Sequence, residues 1–247
     1  MGFHFCLFYE LYLINIMKYA LLIVGEFRTF YKCYESIISS FKDLDYDIFL
    51  LINLKGRKNN HKWNQNDLDN IKNKFNNVKF CLTYTQEEIK NTKLFPKIPH
   101  KMGRPHFKNH YSQFWGIEKI FSYALNYANE NNIKYDIFIR SRPDILIESY
   151  NISEKYFENL QNEFFIVRGR VGCDAFFITT PNGAIAISKL LYLWDDEKDT
   201  EVNSIIKKKV RRQYKTIDIA TETAIGRWLY KNNIETIICE LSFKIIR

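Results

Sequence analysis

KYALLIVGEFRTF, residues 18–30, is the stretch on which the fold turns. Tyr19 to Val24 is an unbroken apolar run that ends at Gly25. A strand with one wet face alternates polar and apolar residues, whereas one covered on both faces does not, so this run predicts a central strand of a parallel sheet. The period then changes. Tyr31 to Leu44 carries Cys33, Ile37, Ile38 and Phe41 at helical spacing, and Tyr46 to Leu54 is a second apolar strand closed by Lys55-Gly56. Strand, helix, strand is the opening unit.

The alternation continues outward from it. Asp67 to Phe75 reads as a helix with Leu68, Ile71 and Phe75 on one face, and Val78 to Tyr84 as a third strand. Lys93 to His110 loses periodicity and gathers Pro96, Pro99, Gly103 and Pro105 among basic residues, which predicts a long basic loop. Tyr111 to Asn129 is the clearest helix, with Phe114, Ile117, Phe121, Leu125 and Ala128 in one stripe and Asn131-Asn132 as its C-terminal turn. Tyr135 to Ile139 follows as a strand running into Arg140-Ser141-Arg142-Pro143-Asp144. Strands are expected at Phe164 to Val167, Ala175 to Thr179 and Thr236 to Cys239, and helices at Gly183 to Trp194 and Ile219 to Tyr230. No repeat of fixed period stands out, though a helix, Asn-Asn-Ile, strand joint occurs twice. The fold class this implies is α/β and Rossmann-like, a mostly parallel sheet with helices on both faces.

Composition limits the function classes. The 247 residues are 46% hydrophobic and 16% aromatic, enough for a full core and incompatible with a disordered tail or a collagen-like fibre. Cys6, Cys33, Cys81, Cys173 and Cys239 are odd in number and form no C-x-x-C pair, so reduced thiols and a cytoplasmic setting are expected. Residues 1–16 are apolar, but His4 and Glu10 interrupt them, and a spanning helix needs about 20 predominantly apolar residues. With Met17-Lys18 resembling a natural start, residues 1–17 are expected to be an extension and 18–247 a single domain. No membrane anchor is expected.

In parallel sheets of this kind ligands bind outside the carboxyl ends of the strands. The first strand ends in Gly25-Glu26-Phe27-Arg28-Thr29, where glycine admits close approach and Arg28 can fork onto a phosphate; a plain surface turn is the other reading. Neither G-x-G-x-x-G nor G-x-x-x-x-G-K is present. The fourth strand places Arg140, Arg142 and Asp144 in or just beyond a buried segment, where charges need partners. Two arginines and a carboxylate suit a pyrophosphate and, through the carboxylate, a divalent cation; an internal Arg–Asp pair fixing a turn is the alternative. Asp174 opens a later strand among apolar neighbours, or acts as a turn residue, and Glu222 lies in the first turns of a helix, where any carboxylate gains from the macrodipole. Gln113, on the long helix, offers a polar contact or simply faces solvent. His100, His106 and His110 match no zinc-site spacing.

Together these segments resemble the nucleotide-sugar glycosyltransferases of the GT-A type, in particular a family found in polysaccharide gene clusters and in large DNA viruses. The matching pieces are KYALLIVGEFRTF, YSQFWGIEKIF, YDIFIRSRPDILI, GCDAFFITTP and TETAIGRWLYKNNI, in that order from Lys18 onward. The resemblance implies a GT-A-like domain with a nucleotide-binding half, 18–145, and an acceptor half, 146–247. It implies transfer of a sugar from a nucleotide-sugar donor to a glycan or other hydroxyl acceptor, in the cytoplasm, of the host if the protein is viral. Carried over, Gly25 and Arg28 lie beside the nucleotide, and Arg142 and Asp144 at the diphosphate, with Asp144 as the ligand of a divalent cation, Mn2+ or Mg2+. Asp174 or Glu222 stands near the acceptor hydroxyl, Asp174 being preferred as the base. Where the family has D-x-D this chain has Arg142-Pro143-Asp144, so the arginines, Arg140 among them, are the alternative neutralisers of the leaving diphosphate.

Two rivals remain open. A net charge of +8 and the run KKKVRR, 207–212, suit a nucleic-acid-binding protein, although a solvated basic face is the commoner origin of such a run. A GT-A fold that binds its ligand without turnover is the other.

Overall fold

The computed structural model describes residues 17–27, 29–54, 64–92, 106–150, 163–167, 175–191, 221–239 and 241–246. In chain order the elements are β1 (Lys18–Glu26), α1 (Phe30–Ser40), β2 (Asp45–Asn53), α2 (Gln65–Lys72), β3 (Val78–Tyr84), α3 (Gln86–Lys90) and α4 (His106–Glu130). There follow β4 (Ile137–Ser141), β5 (Ile145–Tyr150), β6 (Glu163–Val167), β7 (Phe176–Thr179), α5 (Pro181–Ile187), α6 (Thr221–Lys231), β8 (Glu235–Cys239) and β9 (Leu241–Ile245).

Seven strands form one sheet in the order β3-β2-β1-β4-β7-β6-β8. β1 runs parallel to β2 and β4, β2 to β3, and β6 to β8. Against these, β7 is antiparallel to both its neighbours, β4 and β6. The Rossmann-like α/β architecture that the alternation predicts is therefore present. β1 and β2 are buried along six and seven consecutive positions, which is why neither shows a two-residue period in sequence.

Both faces are covered, and two adjacent phenylalanines show it. Phe176 stacks on Phe41, at the end of α1, and Phe177 stacks on Phe121 of α4 at 5.6 Å, because consecutive strand residues point to opposite faces. Phe75, following α2, meets Phe30 of α1, so α1 and α2 share the first face. Right-handed crossovers require this: the chain moves outward from β1 to β3 and then returns past β1 to β4, and the return puts α4 on the other side.

Several boundaries differ from the sequence expectation. α4 begins at His106, so the last five residues assigned to the basic loop are helical, while 93–105 lie outside the described residues. α3 was not expected, although Thr85 and Glu88 form the reciprocal capping box that marks a helix start. β4 runs two residues further than expected, which draws Arg140 inside the sheet. α5 starts at Pro181 behind its N-cap Thr180 and ends at Ile187 rather than continuing to Trp194. β5 and β9, also unexpected, pair antiparallel as a separate two-stranded sheet that packs on α1, where Ser36 Oγ accepts from the Ile147 amide at 3.2 Å.

The repeated Asn-Asn-Ile joint folds the same way twice. Asn132 and Asn233 take φ of 53° and 55°, and the amides of Ile133 and Ile234 donate back to the Ala128 and Leu229 carbonyls. This is the Schellman closure of a helix, in which asparagine tolerates the left-handed backbone and the following apolar residue starts the return to the sheet.

The amino edge of the sheet holds a buried charge. Asp47 is 2% exposed, accepts a 2.6 Å hydrogen bond from Tyr135 Oη, and lies 3.6 Å and 3.5 Å from Lys18 Nζ and Lys79 Nζ. Burial, then the bond and charge of Asp47, push the Tyr135 phenol far above its ordinary value. The folded chain thus holds this proton more tightly than the unfolded chain. Its contribution is intact below the ordinary tyrosine value near pH 10 and is lost as pH rises beyond it. In urea titrations from pH 7 to 11, Tyr135→Phe should cost about 1–2 kcal/mol at neutral pH and flatten the alkaline loss seen in wild type. An equally steep alkaline loss in the variant would refute the assignment.

Candidate functional site

Strand order reverses at β1, whose neighbours β2 and β4 are reached by crossovers on opposite faces. That switch point opens a crevice beyond the strand ends, the usual place for a ligand in an open α/β sheet. Gly25 stands there with φ +144°, a conformation that side-chain-bearing residues avoid, and a Cβ on it would come within 3.1 Å of Pro143 Cδ. The glycine therefore brings the backbone of β1 against the turn that follows β4.

That turn is locked by a two-pronged ion pair. Arg142 Nε and Nη2 donate to Asp144 Oδ1 and Oδ2, both at 2.8 Å, with the aspartate side chain 3% and the arginine side chain 25% exposed. The Arg142 amide donates to the Ala175 carbonyl, and the Asp144 carbonyl accepts from the Ile246 amide at 2.8 Å. Thr29 Oγ1 also donates to Ile246, at its carbonyl, so the segment after β9 ties the loop after β1 to the turn after β4. The Asp144 charge reaches the buried Cys33 thiol on α1, which burial and that carboxylate raise against the pull of Lys32.

A second polar group lies on the α4 side of the same strand ends. Register pairs Glu26 with Asn53 and Asn53 with Tyr84, so the last residues of β1, β2 and β3 form one row. Gly116 of α4 sits over that row, because a Cβ there would meet Val24 Cγ2 at 3.0 Å and Tyr84 Oη at 3.1 Å. Arg140 pairs in register with Leu22 of β1 and Phe177 of β7, which places it on this face too, 1% exposed. Its Nε and Nη1 find no hydrogen-bond acceptor among the described residues, though the side chain is engaged with its neighbours. Burial and the Glu26 charge push the Tyr84 phenol up, while a hydrogen bond with Asn53 and the Arg140 charge oppose them. A cation, a carboxylate, an amide and a phenol thus converge under one helix.

No protein-family model and no curated protein matches this chain. Among solved structures, the X-ray structure of the mannosyltransferase Ktr4p from S. cerevisiae aligns with 77% of this chain at 14% identity and a TM-score of 0.42. The chain spans 46% of that protein's length.

Of the residues singled out in sequence, Gly25, Arg142 and Asp144 meet at the switch point. Arg140 lies within β4, whereas Arg142 follows the end of that strand in the turn, and the Arg140 charge reaches the Tyr84 phenol. Gln113 is half-buried one turn before Gly116 and so on the same helix face, toward the strand ends. Arg28 and Asp174 lie outside the described residues, and Glu222 belongs to the first turn of α6 with its side chain outside them. Glu26, Asn53 and Tyr84 were not singled out. The signal for them was a polar residue closing each of three successive apolar strands.

The residues described around Asp144 do not fit a divalent cation. Both carboxylate oxygens are taken by Arg142, and among the described residues no group of three or more His, Cys, Asp or Glu side chains is placed to hold a metal ion. Among the described residues, no helix is long and apolar enough to cross a membrane.

Proposed function

We propose that this chain is a cytoplasmic glycosyltransferase of GT-A type, moving a sugar from a nucleotide-sugar donor to a hydroxyl acceptor, with 18–145 as the nucleotide-binding half and 146–247 as the acceptor half. The observation that carries the reading is the meeting of Gly25 with the Arg142–Asp144 turn at the point where strand order reverses. As the glycosidic bond breaks, negative charge grows on the departing diphosphate. A guanidinium already held in one geometry stabilises that charge more than the ground state, without reorganising at the moment of reaction. Arg142, fixed by Asp144, takes this role, with Arg28 beside the nucleotide, Gln113 as a polar contact, and Gly25 admitting the ligand to the backbone. Asp174, ahead of Glu222, is the carboxylate that deprotonates the acceptor hydroxyl in an inverting reaction.

A thermal-shift panel of UDP-, GDP-, CMP- and dTDP-linked sugars, each with and without manganese, tests this. A ligand at 100 times its Kd adds about 2.7 kcal/mol, which for a domain of this size raises the midpoint by roughly 5–10 °C. One donor base is expected to do so. If no donor shifts the protein while a short oligonucleotide does, the transferase reading fails and nucleic-acid binding replaces it.

A further inference from the structure

Glu26, Asn53 and Tyr84 close three neighbouring strands in register, and their exposure falls from β1 toward the edge strand β3. Glu26 is half-buried, Asn53 is 5% and Tyr84 3% exposed, and Arg140, on β4 at the other side of β1, is among the largest fully buried side chains of the described residues. Gly116 leaves room for the Tyr84 hydroxyl beneath α4, and any larger residue would close it. The Glu26 carboxylate, half-buried at the carboxyl end of β1, lies within electrostatic reach of the Tyr84 phenol, which the Arg140 charge also reaches. The carboxylate is an acceptor only. A nucleotide sugar presents acceptors along its phosphates and donors at its hydroxyls, so this carboxylate repels the first and takes the second.

We propose that Glu26 binds ligand hydroxyls at the carboxyl end of β1, those of the donor's pentose or of its transferred sugar, and that Tyr84 and Arg140 are positioning residues that hold it for that contact. The inference rests on the nucleotide-sugar reading. It divides the crevice by strand alternation: Gly25 adjoins the Arg142–Asp144 turn through Pro143, where the diphosphate belongs, and the next residue turns to the opposite face, where the hydroxyl-bearing ring belongs. A carboxylate accepting from a ribose hydroxyl is the same chemistry that dinucleotide-binding folds use, here placed on the first strand of the sheet. Tyr84 suits positioning because burial and the Glu26 charge both keep its phenol protonated, leaving it a donor at physiological pH.

The test titrates the full chain and its Glu26→Gln and Tyr84→Phe variants with GDP, UDP, their 2′-deoxy and 3′-deoxy forms, GDP-mannose and UDP-glucose, using calorimetry alongside melting curves. Glu26→Gln should remain folded and bind its preferred ligand about tenfold more weakly, as loss of one charged hydrogen bond predicts. If the pentose is the source of the hydroxyls, wild type will favour the ribonucleotide over one deoxy form and Glu26→Gln will not. If the transferred sugar is the source, the variant will lose affinity for the nucleotide sugar and not for the diphosphate. Tyr84→Phe should show the same loss of discrimination to a smaller degree, which loss of packing alone would not produce. Equal affinity of wild type and Glu26→Gln for every ligand that binds overturns this inference and leaves the transferase reading standing. Failure of wild type to bind any of them, together with no melting shift from the CMP- and dTDP-linked sugars, overturns both.

Discussion

Replacing Gly183 with alanine is expected to lower the midpoint of thermal unfolding by roughly 2–8 °C, against the usual direction of such a change. In an ordinary helix position glycine to alanine gains about 1 kcal/mol. Here α5 starts one residue after β7, with Thr180 as its cap and Pro181 in its first turn, so the helix lies directly on the end of the strand it leaves. A Cβ at position 183 would fall 1.8 Å from Thr179 Oγ1 and 3.1 Å from Thr179 Cβ. Rotating the threonine relieves only the first of these, and Thr179 is fully buried, so the strand end or the helix must move. Overpacking of this kind costs about 1–3 kcal/mol. Thr179 Oγ1 also has no hydrogen-bond partner among the described residues. Thr179→Ala alone should therefore cost little, and in the Gly183→Ala background it should restore part of the lost stability, since the contact with the Cβ of residue 179 remains. A Gly183→Ala protein that melts at or above the wild-type temperature would show that helix and strand are not in contact as described.

The elements readable from sequence are those whose period is set by their own burial. β1 and β2, buried on both faces, read as unbroken apolar runs, and α4 reads as a stripe because one face meets the sheet while the other does not. β5 and β9 are a different case: each has a single partner strand, and Leu241-Ser242-Phe243-Lys244-Ile245 alternates apolar and polar as a half-covered strand does, a signal present in the sequence but only five residues long. The orientation of β7 was invisible, since a short strand buried on both faces has the same sequence whichever way it runs.

The candidate site was legible in its backbone landmarks and not in its partners. Gly25 and the Arg142-Pro143-Asp144 turn stand out because glycine, proline and charge interrupt apolar strands. Which arginine Asp144 pairs with depends on where β4 ends: with the strand running to Ser141, Arg140 falls on the α4 face and Arg142 leaves the sheet into the turn. Glu26, Asn53 and Tyr84 lie 27 and 31 residues apart and become one row only through the register of three strands, which no local pattern encodes.

Separating Arg142 from Asp144 is expected to have the largest effect on ligand binding, and a double-mutant cycle can show that the two act as one unit. The carboxylate is nearly inaccessible and gives both oxygens to the guanidinium, so Asp144→Ala leaves a cation without its fork partner. Because a quarter of the arginine side chain remains in solvent, the coupling should fall below that of a fully buried pair, at about 1–3 kcal/mol. Nucleotide-sugar affinity should drop about tenfold in Asp144→Ala and in Arg142→Ala alike, and the double variant should be no worse than either. Arg142→Lys keeps the charge but not the planar fork, and should fall between wild type and Arg142→Ala. The same titrations repeated with manganese distinguish the aspartate's possible duties. If Asp144 serves to hold Arg142, manganese leaves wild-type affinity unchanged and Asp144→Asn retains part of the binding through its one remaining acceptor oxygen. If manganese raises wild-type affinity and Asp144→Asn abolishes that gain, the carboxylate is a metal ligand and the ion pair must open when the donor binds.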